Sequence, residues 1–136
     1  MGIAFEVPGE PRGKARPRFH NGHAYTDSET RVYEEKIAAY YRQAFGGFRW
    51  PDETFLRIKV TAHYQIPKRA TKAAVAGMQS GRILPSRKPD IDNVLKAVLD
   101  ALNGVAYKDD SRVVCVEAEK VYSMTPKLVI EMKGSE

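Results

Sequence analysis

The stretch "FLRIKVTAHYQI", residues 55 to 66, leaves this chain little freedom. Leu56, Ile58, Val60, Ala62, Tyr64 and Ile66 point one way, while Arg57, Lys59, Thr61, His63 and Gln65 point the other. A period of two belongs to a strand, and a single apolar face requires a sheet with one side covered. His63 falls on the polar side and reads as an ordinary surface histidine.

The cover must come from helical patterns, and two are visible. Thr26 and Glu29 are spaced as a capping box, and Tyr33, Ile37, Tyr40, Tyr41, Ala44 and Phe45 follow at helical intervals up to Gly46-Gly47. At this spacing the tyrosines form a core-facing stripe rather than stacking platforms for bases. A second helix is expected from Asp90 to Asn103, stopped by Gly104, with Ile91, Val94, Leu95, Val98, Leu99 and Leu102 on its buried side. Asp92, Lys96, Asp100 and Asn103 take the polar side.

The other segments complete the layout. "IAFEV" reads as a first strand, and Pro8 to Tyr25 as a loop with a short hairpin around Asn21-Gly22. Residues 67 to 89 form a long basic segment with a short helix from Thr71 to Gln79. Strands are expected over Arg112 to Tyr122 and Lys127 to Met132, joined as a hairpin across "SMTP". The reading is an α/β (α+β) chain with one domain over residues 1–136: two layers, a mixed sheet packed by two main helices.

No apolar run approaches the roughly 18 residues of a membrane span. The opening has no basic region leading into an apolar core, and Glu6 stands where myristoylation needs Ser or Thr. A cytoplasmic location without membrane attachment is therefore expected. Cys115, the one cysteine, excludes an internal disulfide and a cysteine-based zinc site, and it reads as a small core residue.

Charge narrows the function. The net charge is +5, which favours polyanionic partners, nucleic acid first. "PRGKARPRFH" carries Arg12, Lys14, Arg16 and Arg18 without an acid, and "QIPKRATKAAVAGMQSGRILPSRKP" carries six cations without an acid. Directly after, "KPDIDNVLKAVLDALNGVAYKDD" collects five aspartates. Each has a structural use in isolation. Asp90 suits an N-cap, Asp92 the positive end of the helix or an ion pair with Lys96, and Asp109-Asp110 a turn. Taken together they form an oxygen-only donor set that suits Mg²⁺ or Mn²⁺. A metal held by carboxylates beside a phosphodiester lowers the barrier to its hydrolysis, and basic flanks offset the repulsion between acids and backbone. Lys96 would steady charge building on the phosphate. Three functions fit: a metal-dependent nuclease on branched DNA, the same chemistry on a flap, single strand or RNA, and a non-catalytic binding module whose aspartates only cap and turn.

The run "KPDIDNVLKAVLDALNGVAYKDDSRV" closely resembles the signature of the RusA-type Holliday junction resolvases, and "PRGKARPRF" resembles their basic opening motif. The resemblance implies Asp90, Asp92 and Asp110 as metal-binding catalytic carboxylates, Lys96 as a functional lysine and Asp109 as a possible additional acid. It implies Lys14, Arg16, Arg18, Arg87 and Lys88 as DNA contacts. It further implies a Mg²⁺-dependent homodimer, with Mn²⁺ a possible substitute, that places paired nicks in four-way junctions, where a two-fold substrate calls for a two-fold protein.

Overall fold

The computed structural model describes residues 1–14, 18–25 and 28–135. The alternating stretch forms β4 (Phe55–Gln65), after β1 (Gly2–Pro8), β2 (Arg18–His20), β3 (His23–Tyr25) and α1 (Ser28–Phe45). It is followed by α2 (Lys72–Gln79), α3 (Ile91–Leu102), β5 (Val113–Ser123) and β6 (Lys127–Ser135). On β4 the apolar set is fully buried and the polar set is half-buried or exposed, as period two requires. The chain is α+β: a four-stranded mixed sheet with the helices packed on it. Among the described residues no helix is long and apolar enough to cross a membrane.

The sheet order is β1-β6-β4-β5. β6 runs antiparallel to both β1 and β4, while β5 runs parallel to β4. This corrects the expected terminal hairpin, because β4 occupies the slot between β5 and β6. A short "SMTP" link suggests neighbours, but here it steps across one strand. β2 and β3 make a separate small ribbon, turned by Asn21 at φ 51 and Gly22 at φ 78. Positive φ at both central residues is what a tight hairpin turn needs.

α1 buries Tyr33, Ile37 and Tyr41, so the tyrosine stripe is core, although Ala44 is exposed and Tyr40 half-buried. The expected cap residue Thr26 lies outside the described residues. Tyr41 donates its hydroxyl to the Phe48 carbonyl at 2.7 Å and meets Phe5 of β1 edge-on at 5.6 Å.

On α3 the buried stripe is Val94, Ala97, Val98, Ala101 and Leu102. The expected stripe is therefore rotated. Ile91 is 39% exposed, and Leu95 and Leu99 are only half-buried. The cause lies in the alanines: α3 packs against α1 as well as the sheet, and small residues let two helices approach. Cys115 also departs from expectation. A register shift between Leu56 and Arg57 pairs it with Arg57, on the polar face of the sheet, where it is half-buried.

Candidate active site

Pro89 ends the basic segment and α3 starts at Ile91, so Asp90 takes the N-cap position with extended backbone, φ −68 and ψ 152. Its carbonyl accepts the Val94 N–H at 3.1 Å, but its side chain makes no capping hydrogen bond. Asp92 follows in the first turn, and both residues are exposed. Among the described residues neither pairs with a cation, and the expected Asp92–Lys96 pair is not formed. Two carboxylates thus stand at the positive end of a helix with no capping hydrogen bond from Asp90 and, among the described residues, no cation beside either.

Two sides of this mouth are built by other elements. On one side Tyr64, at the far end of β4, donates its hydroxyl to the Pro89 carbonyl at 2.8 Å. Its ring carries the Arg87 guanidinium at 5.3 Å and the Lys120 ammonium at 5.1 Å, and Lys120 donates to the Arg87 carbonyl at 2.6 Å. Arg87 also reaches Glu10 at 3.3 Å. On the other side the N-terminal loop lies on α3. The Lys14 N–H donates to the Asn93 carbonyl at 2.9 Å. A Cβ on Gly13 would stand 2.8 Å from Pro89 Cβ and 2.9 Å from Asn93 Cβ, so only glycine permits this approach. Between loop and helix lies a cleft of about 340 Å³ lined by Arg12, Gly13, Lys14, Lys88, Asp90 and Asn93 among others. A larger hollow of about 570 Å³, between the loop and the start of α1, holds none of the signature aspartates.

The second acidic group is elsewhere. Asp109 caps a 3₁₀ turn over Asp110–Arg112 without a side-chain hydrogen bond, and both aspartates are exposed. This turn leads into Val113, which pairs with Leu56 at the near end of β4, whereas Pro89 is held by Tyr64 at the far end. Eight residue steps of strand, about 26 Å, separate those two levels. Tyr107 gives the same placement. Its hydroxyl donates to the Leu99 carbonyl at 2.7 Å, near the C-terminal end of α3, and burial raises its pKa, with Asp110, Asp100 and Asp109 adding to the effect. The single chain therefore brings Asp90 to Asp92 but leaves Asp110 at the opposite end of α3. Among the described residues no three acidic, histidine or cysteine side chains stand together closely enough to hold one metal ion.

The other expected residues are distributed unevenly. Lys96 is exposed on α3 one turn beyond Asp92, and Lys88 is exposed at the cleft. Arg16 and the side chain of Arg18 lie outside the described residues. The Lys14 ammonium already has partners: it pairs with Glu34 of α1 at 2.6 Å and Asp100 of α3 at 3.3 Å. Sequence reasoning missed Gly13, Tyr64 and Lys120. Only Tyr64 left a trace, because a tyrosine in an aliphatic strand face must find a partner for its hydroxyl.

A basic cleft opening on paired aspartates, mounted on an α+β sheet, matches a nuclease class. The chain belongs to the RusA family of endodeoxyribonucleases, whose family model matches residues 8–133. Among curated proteins it is 31% identical over 137 residues to the uncharacterized protein YqaN of Bacillus subtilis (strain 168), covering 96% of this chain and 95% of the relative.

Proposed function

We propose that the chain is a divalent-metal-dependent endonuclease that cuts four-way DNA junctions as a symmetric pair of subunits. The observation that carries this reading is that Asp90 and Asp109 occupy capping positions without capping, and Asp92 lacks an ion-pair partner among the described residues. In a pure binding module, unneutralised acids beside phosphates would only weaken the complex. Asp90, Asp92 and Asp110 would hold the ion, and their oxygen donors suit Mg²⁺, or Mn²⁺ in its place. The bound ion supplies charge neutralisation at the scissile phosphate and a Lewis acid for the attacking water. Lys96, one turn along α3, steadies negative charge developing on the phosphate. Arg12, Arg87 and Lys88 draw the DNA backbone to the cleft against the repulsion of the acids.

A second copy closes the site. β5 is an edge strand with Val114 55% and Val116 43% exposed, and Ile91, Leu95 and Leu99 leave an apolar flank on α3 near it. An edge strand that exposes apolar side chains is a liability unless another chain covers it. A two-fold axis across β5 sets the near end of one sheet beside the far end of the other. Asp110 of the partner subunit then comes to the mouth holding Asp90 and Asp92, and the two sites act on the two strands of a two-fold junction.

The test uses purified protein with labelled junction, flap and single-stranded DNA, each with Mg²⁺ and with EDTA. Asp92→Asn is expected to abolish cleavage while leaving junction binding intact or tighter; wild-type cutting by this variant would sink the catalytic assignment. Mixing inactive Asp92→Asn with inactive Asp110→Asn decides the shared site. Half of randomly paired dimers are mixed and each has one complete site, so about a quarter of the sites recover and junctions are nicked singly. No recovery, in a mixture shown to exchange subunits, places all three aspartates in one chain's site.

A further inference from the structure

The geometry points to Lys14 as a positioning residue of the endonuclease, a role that rests on the function proposed above. Lys14 has the sequence context of a phosphate contact, with Arg12, Arg16 and Arg18 around it and no acid over residues 11–20. The fold gives it another use. Its ammonium is 2.6 Å from Glu34 Oε2 and 3.3 Å from Asp100 Oδ2, and the three side chains are only 16%, 18% and 32% exposed. Burial works to lower its pKa, yet hydrogen bonds and charge from Glu34 and Asp100 outweigh it, and the net direction is upward. The cation is therefore fixed between two carboxylates from two helices.

What it fixes matters for the reaction. Glu34 lies on α1, Asp100 on α3, and the Lys14 N–H holds the Asn93 carbonyl one residue beyond Asp92. One residue thus sets the rotation of α3 against α1 and seats the basic loop on the helix that carries Asp90 and Asp92. Without it, Glu34 and Asp100 would face each other with no cation between them, and repulsion would open the joint between the helices. Two carboxylates at a reacting phosphate need placement to well under an ångström, so loss of the brace should slow turnover more than it weakens binding.

Lys14→Met, Glu34→Gln and the double variant separate a brace from a phosphate contact. With four-way DNA, Lys14→Met is expected to leave KM and the salt dependence of binding at wild-type values while kcat falls about tenfold or more. Glu34→Gln should act in the same direction, and the double variant should be little worse than either single one. A salt slope shallower by about 0.9 in Lys14→Met, the mark of one lost phosphate contact, would overturn the proposal, as would an unchanged kcat. If Lys14→Met fails to fold, Glu34→Gln decides alone. A brace predicts lower kcat at an unchanged slope, whereas a lysine released to bind phosphate predicts tighter binding with a steeper slope. Thermal unfolding without DNA keeps the two readings apart. Coupling between the Lys14 and Glu34 substitutions is expected whether or not any DNA is cut, and strict additivity would refute the brace itself.

Discussion

Two tyrosine hydroxyls hold the ends of the helix that carries the site. Tyr64 donates to the Pro89 carbonyl at its entrance and Tyr107 to the Leu99 carbonyl near its exit. Burial pushes the Tyr64 phenol up to about 12 from its ordinary 10.0, with Arg87 opposing and Glu10 and Asp90 adding; burial also pushes Tyr33 to about 12. A phenol whose folded pKa is raised favours folding while protonated. That contribution is complete below pH 10 and is lost as pH climbs from 10 towards 12. Urea unfolding across this range should show stability falling, with a smaller fall in Tyr64→Phe and a loss of about 1 kcal/mol at neutral pH from the missing hydrogen bond. An identical alkaline decline in wild type and variant would remove Tyr64 from this account. The places of Asp90 and Asp92 at the start of α3 were legible, because capping spacing is local. The pairing of Lys14 was not. Glu34 is 20 residues away and Asp100 much further, and a basic sequence neighbourhood says nothing of partners met through folding.

Among the elements, β4, the Asn21-Gly22 hairpin, a short α2 near Thr71 to Gln79 and the end of α3 at Gly104 could all be read in advance, since each rests on a local signal of period or turn chemistry, although Thr71 caps α2 instead of opening it. The face of α3 could not. Counting large aliphatics assigns Ile91, Leu95 and Leu99 to the core, but the alanines pack between helices and the aliphatics are left along one flank. That flank and the edge of β5 form the surface on which a second copy would sit. Val116→Lys alters a residue already 43% exposed, so it should change folding stability by no more than about 0.5 kcal/mol. It should nevertheless shift sedimentation towards the single chain and reduce cleavage in parallel. A variant that still sediments as a pair would show that the subunits meet elsewhere.

Across the whole molecule, charge is sorted by surface. The polar face of the sheet is balanced by cross-strand pairs, the exposed Lys59 with Glu119 at 3.9 Å and the half-buried Lys127 with Glu6 at 2.7 Å. Surface pairs of this kind add little stability, but they leave that face close to neutral. The net charge of +5 is therefore weighted towards the acid-free segments around the cleft. The strand order was hidden from sequence because β1 pairs with β6, the first described strand with the last, and no local signal reports that. This arrangement bears on how the protein is made. During synthesis β1 emerges before its partner, and β4 waits with one side bare until β6 slides between them. A chain ending at Pro126 should show no cooperative urea transition and rapid amide exchange throughout β4. Nascent polypeptides would then carry the basic loop without a finished scaffold beneath it, so cutting ability would be withheld until β6 has emerged and paired.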